Sequence, residues 1–182
     1  MKRPAVVERR EPFEPEFILI PAGEFLMGSP EKPTPESLAG LYGGKADEYH
    51  RERPQHGVRI TKPFYFGKYE VTQAQWQAVM GSNPSRFNDL QNPVECVSWE
   101  DVQPFFSKVN ATSAKGGMKF ALPTEAQWEY ACRGGTTTWY QYGDDPEKLA
   151  TVGNVADGTA KAKYPQRRTI AASETQGAPN FI

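Results

Sequence analysis

Apolar and polar residues alternate along this chain in short blocks. Three of the blocks carry the spacing of amphipathic helices. In Thr124 to Gly135 the apolar positions Trp128, Ala131 and Cys132 fall at i, i+3 and i+4. Thr124 stands where a hydroxyl caps a helix, Gln127 where an amide reaches back to the cap, and Gly134 or Gly135 where a left-handed residue ends it. Thr72 to Gly81 repeats the design, with Gln75 closing the box and Trp76, Val79 and Met80 forming the stripe. A third start lies at Ser98, with Asp101 three residues on and Val102, Phe106 and Val109 continuing the face, and Pro104 predicts a bend or a later start. Each helix is expected to bury its tryptophan, Trp76, Trp99 or Trp128.

Strand patterns fill the gaps between these helices. Phe17 to Ile20 reads as a buried strand, and Pro21-Ala22-Gly23 turns the chain into a second, Glu24 to Gly28. Val58 to Ile60, Phe64 to Val71 and Lys119 to Leu122 complete the β signal. Residues 1–16 read as a polar tail and 29–56 as a long polar loop inside a domain spanning 17–182. Strands and helices do not alternate regularly, which predicts an irregular α+β domain rather than a doubly wound parallel sheet.

Composition narrows the function classes. With 182 residues and 38% hydrophobic content the chain suits one core, and a net charge of −1 gives no electrostatic footprint for nucleic acid. No stretch approaches the roughly 18 apolar residues of a membrane span, and no apolar run opens the chain, so a cytoplasmic location is expected. Cys96 and Cys132, the two cysteines, read as small buried thiols rather than a disulfide framework.

The search for chemistry yields little. His50 and His56 lie in or beside the polar loop without ligand spacing, and His56 reads as a loop-anchoring residue. Glu125 and Glu129 share a helix face that reads as solvated, while Glu70 reads as a structural hydrogen-bonding group. The segment Gly153-Asn154-Val155-Ala156-Asp157-Gly158 offers oxygen donors that suit a hard cation such as calcium, fewer than the six to eight it needs, and by itself it reads as a turn.

The ordered set Phe17 to Ser29, Tyr69-Glu70-Val71-Thr72, Pro93-Val94 with Val97-Ser98-Trp99, and Leu122 to Gly135 resembles the formylglycine-generating enzyme family, the sulfatase-modifying factors. The resemblance runs from about residue 17 to about 168. It implies an irregular, strand-poor fold related to C-type lectins. It also implies the family activity, oxidation of a sulfatase cysteine to formylglycine with oxygen and copper bound by two cysteines, and a sulfatase-type protein substrate. Those two cysteines belong to a C-terminal part with Gly-Asn-x-x-Glu-Trp and Arg-Gly-Gly-Ser-Trp segments, which these residues do not contain, so the domain reads as C-terminally truncated. Neither Cys96 nor Cys132 matches them, and no catalytic residue is assigned. Asn154 and Val155 resemble the first two ligands of a family calcium site. The chain is thus expected to be inactive alone. The alternative is a non-catalytic protein- or ligand-binding scaffold, with the 29–56 loop facing an unknown protein partner. Sulfoxide synthases related to the family use a histidine cluster that His50 and His56 do not supply.

Overall fold

A computed structural model describes residues 6–7, 15–42, 45–112, 119–145, 148–152 and 162. It divides into two compact units, Met1–Gly23 with Ile60–Gln127, and Glu24–Arg59 with Trp128–Ile182.

In the first unit, β1 (Val6–Val7), β2 (Phe17–Ile20) and β5 (Phe64–Gly67) form an antiparallel sheet in the order β1-β2-β5. The register sets Phe17 opposite Gly67 and Ile20 opposite Phe64. The sequence assigns residues 1–16 to a polar tail, yet Val6 and Val7 extend the sheet against Ile18 and Phe17.

Helices α3 (Gln73–Met80) and α4 (Trp99–Thr112) supply the core of this unit. Thr72 caps α3: its Oγ1 accepts from the Gln75 N–H at 3.2 Å, and its own N–H donates to Gln75 Oε1 at 2.9 Å. Gly81, at φ 87°, ends the helix and donates its N–H to the Gln77 carbonyl at 2.8 Å. Ser98 caps α4 through the same reciprocal pair with Asp101, at 2.8 and 3.2 Å. The Ser98 N–H, and after it the Ser98 hydroxyl, hold the Asp101 carboxyl below its usual range.

Trp76 stacks on Phe105 with ring centroids 4.9 Å apart and planes within 4°, and Val109 completes the buried cluster. Pro104 lies inside α4 and does not delay its start, because the carbonyl left without its N–H belongs to an exposed first turn. The burial expected of the α4 tryptophan needs correction. Trp99 is 66% exposed, since it lies at the edge of the stripe on the first helical position, and Phe105 is the aromatic that enters the core. The chain at Lys119–Leu122 is not a strand; Phe120 is instead held by Asn110, which accepts its N–H at 2.7 Å and donates to its carbonyl at 2.8 Å. Glu70, expected to make a structural hydrogen bond, is exposed.

The connection from α3 to α4 has almost no regular structure, so side chains must satisfy its backbone. Gln73 is fully buried and uses every side-chain site. Its Nε2 donates to the Phe87 and Pro93 carbonyls at 2.9 and 3.3 Å, and its Oε1 accepts from Asn83 Nδ2 and the Asp89 N–H at 2.8 and 3.2 Å.

In the second unit, β3 (Gly23–Met27) pairs with β4 (His56–Ile60). The segment 29–56, read from sequence as a loop, carries two helices, α1 (Pro35–Tyr42) and α2 (Ala46–His50), packed on each other around buried Leu38 and Tyr49. Their few apolar positions are too sparse to show a helical period. Helix α5 (Glu125–Arg133) starts in residues of the first unit, which ends at Gln127, at the predicted box with Thr124 and Gln127 bonded at 3.0 and 3.2 Å, and from Trp128 on belongs to the second unit, ending at left-handed Gly134 and Gly135. Trp128 is half-buried rather than a core residue. A short helix α6 spans Leu149–Val152.

Gln73→Leu should strand two donors and two acceptors and cost about 3 kcal/mol. Trp76→Ala should cost about 3 to 5 kcal/mol, and Trp99→Ala less than about 0.5 kcal/mol. Urea unfolding midpoints of the three variants check this ranking.

Candidate functional site

Among the described residues of the second unit, several polar side chains converge on the turn after β3. Gly28 adopts φ +88°, and a Cβ there would collide with the Glu52 carbonyl oxygen, so only glycine lets the two backbones meet. Its N–H donates to Glu129 Oε1 at 2.9 Å, and its carbonyl accepts from Gln55 Nε2 at 3.0 Å and Arg133 Nη2 at 3.2 Å. Arg133 also grips Glu129 Oε1 through Nε at 2.8 Å and Nη2 at 2.7 Å. With side-chain exposures of 20% and 21%, this pair is no solvated surface. Glu129 was expected to be one; its partner Gly28 is 101 residues away, beyond the reach of local pattern.

Next to it, buried Ser29 donates its hydroxyl to Glu52 Oε2 at 2.5 Å and its N–H to the Glu52 carbonyl at 2.9 Å. An open cleft of about 270 Å³ lies here, lined by Ser29, Glu31, His50, Arg53, Pro54 and Gln55. His56 does anchor its own loop, with Nδ1 2.9 Å from the Pro54 carbonyl. His50 Nε2 sits 3.6 Å from Glu36.

The two cysteines were expected to be buried and are exposed. Cys96 adopts φ 60°, the left-handed region uncommon for residues with a Cβ, and its thiol donates to Glu95 Oε2 at 3.0 Å. That hydrogen bond, which favours the neutral thiol, pushes Cys96 above the usual thiol range. The same bond, together with the N–H groups of Phe87 and Arg86, holds Glu95 below the usual carboxylate range. Glu95 accepts those N–H groups at 2.8 and 2.5 Å, which makes it a loop organiser. Cys132 is also raised, chiefly because the protein around the thiol limits its hydration.

Copper(I) favours soft ligands such as paired thiolates, whereas Cys96 is bonded to a carboxylate in a loop, Cys132 lies on a helix, and both are biased toward the neutral thiol. Asn154 and Val155, the calcium candidates, lie outside the described residues. Among the described residues no group of three or more His, Cys, Asp or Glu side chains is arranged to hold a metal. No described helix is long and apolar enough to cross a membrane.

Residues 3–180 match the family described as the sulfatase-modifying factor enzyme 1-like domain. The chain belongs to this family. The chaperone protein LppX of Paenibacillus barcinonensis is 34% identical to this sulfatase-modifying factor domain over 120 residues, covering 48% of this chain and 43% of its own. The formylglycine-generating enzyme of Mycobacterium tuberculosis is 50% identical over 46 residues, 25% of this chain and 14% of its own. PvdO from Pseudomonas aeruginosa shares the fold, with a TM-score of 0.56 at 24% identity, over 74% of this chain and 53% of PvdO. The sulfatase-modifying factor domain therefore spans about half, or less, of the length of each of these relatives. The architecture of the described residues, two small sheets and a handful of helices, is the irregular α+β class expected of it.

Raised thiol pKa values lower the reactive thiolate fraction near neutral pH. Alkylation of Cys96 and Cys132 by iodoacetamide should be slower in the folded protein than in urea at neutral pH. The folded rates should keep rising beyond the ordinary thiol value of about 8.5, and peptide mass mapping across pH checks both sites.

Proposed function

We propose that these 182 residues form the scaffold portion of a sulfatase-modifying-factor-type domain and do not themselves oxidise a substrate cysteine. The family activity converts a sulfatase cysteine to formylglycine, and a sulfatase-type protein is accordingly the substrate of the complete activity. The observation that carries the reading is the state of the two cysteines. One is bonded to a carboxylate in a loop and the other lies on a helix, and both are held toward the neutral thiol. Neither is poised as a copper ligand or a nucleophile.

Calcium is the metal best suited to Asn154 and Val155, through a side-chain amide oxygen and a backbone carbonyl, with the remaining oxygens supplied by other groups.

A second reading is a non-catalytic binding domain. The relative from Paenibacillus is named a chaperone protein, which favours a protein-binding role. The domain limits 17–182, with 29–56 as a partner-facing insert, belong to this reading, and the two helices of that insert give it a defined surface.

A cysteine-containing sulfatase peptide, incubated with the 182-residue protein, oxygen and copper, should show no formylglycine above background by mass spectrometry. Turnover above background, lost in Cys96→Ser or Cys132→Ser, would overturn the first reading.

A further inference from the structure

We propose that the outer edge of β5 pairs antiparallel with the β5 of a second copy of this chain, joining two sheets across a twofold axis at Phe66. The inference stands on the first unit alone and is independent of the activity proposed above.

The register fixes which backbone groups are open. Lys68 donates its N–H to the Glu16 carbonyl at 2.8 Å, and the strands then pair Gly67 with Phe17, Phe66 with Ile18, Tyr65 with Leu19 and Phe64 with Ile20. Hydrogen-bonded and non-hydrogen-bonded pairs alternate along an antiparallel ladder. Lys68, Phe66 and Phe64 therefore direct their backbone groups at β2 and its approach, while Tyr65 and Gly67 turn theirs to the opposite side. No described strand pairs with that side, since β5 is last in the order β1-β2-β5. Tyr65 is 47% exposed. Such a row of open N–H and C=O groups is a template for another strand.

The residues in and around β5 say which strand fits. When two β5 strands pair antiparallel about Phe66, Tyr65 of each copy lies opposite Gly67 of the other, and the open groups make four hydrogen bonds. Phe66 then faces Phe66 of the second copy at a non-hydrogen-bonded position, where side chains approach most closely and aromatic pairs are favourable. Lys62 and Glu70 stand four residues either side of Phe66. Both are exposed, and neither forms an ion pair among the described residues. Lys68, beside the acidic end, is already neutralised by Glu16 at 2.9 Å. Antiparallel pairing brings Lys62 of one copy toward Glu70 of the other at both ends, whereas parallel pairing sets like charges side by side. The charge match is with this chain's own sequence, which makes a second copy the occupant rather than an arbitrary extended peptide. A ladder this short buries little surface, so the dimer is weak and concentration-dependent.

The test follows the whole protein by sedimentation velocity at low ionic strength, kept reduced so that exposed Cys96 and Cys132 form no disulfide. Between about 10 μM and about 1 mM the mass should rise from one chain to two. Over the same range the backbone amide resonances of Tyr65 and Gly67 should shift more than those of Phe64 and Phe66. Tyr65→Pro, which removes an outward N–H and leaves the bonds to β2 in place, should hold the mass at one chain. Lys62→Glu or Glu70→Lys alone should weaken the dimer about tenfold, as two attractions become repulsions, and the two together should restore it. Both charges are exposed, so these variants decide even if Tyr65→Pro does not fold. The proposal is overturned by a one-chain mass at about 1 mM, by species larger than two chains, or by Tyr65 and Gly67 amides that stay in place. It is equally overturned if folded Tyr65→Pro dimerises like wild type, or if the double charge reversal is no tighter than the single ones.

Discussion

A fold with few strands must satisfy its backbone by other means, and Gln73 is where that constraint is met most completely. Its amide is 0% exposed and bridges helix α3 to the irregular chain at Asn83, Phe87, Asp89 and Pro93. A buried amide with all four sites used is stable; one with any site empty costs free energy that a small core cannot easily spare. Glu95 extends the same device by accepting the Arg86 and Phe87 N–H groups, while Ser85 exchanges hydrogen bonds with the Glu95 backbone at 3.1 and 3.4 Å. The polar side chains of this region therefore act as a substitute for a sheet ladder. The same role explains why a glutamate beside an exposed cysteine is structural here.

The second unit applies the principle at Gly28. Three side chains, Glu129, Arg133 and Gln55, converge on a single residue's backbone, and the neighbouring Ser29 is bonded to Glu52 through both its hydroxyl and its N–H. The turn is thereby held without a regular element.

Local chemistry was legible in the sequence to the extent that it was local. The boxes at Thr72, Ser98 and Thr124 each need a partner three residues away, and all three formed. Trp76 was also legible, because it lies inside the stripe that meets Phe105. Trp99 was not, because spacing alone does not say where along a helix the opposing surface ends. The fate of Glu129 depended on Gly28, and the exposure of both cysteines depended on which surface their elements left uncovered. Helices α1 and α2 escaped notice because a short polar helix packed on its neighbour has no long apolar period to display. Family membership was legible because four ordered motifs are more specific than any one of them, and residues 3–180 match that family.

We propose that the two thiols in these 182 residues do not form a copper centre. Copper(I) affinity, measured by competition with a chromophoric chelator under anaerobic conditions, tests it most directly. The protein is expected to leave copper with the chelator, and Cys96→Ser and Cys132→Ser to behave like wild type. Stoichiometric withdrawal that disappears in either serine variant would contradict it.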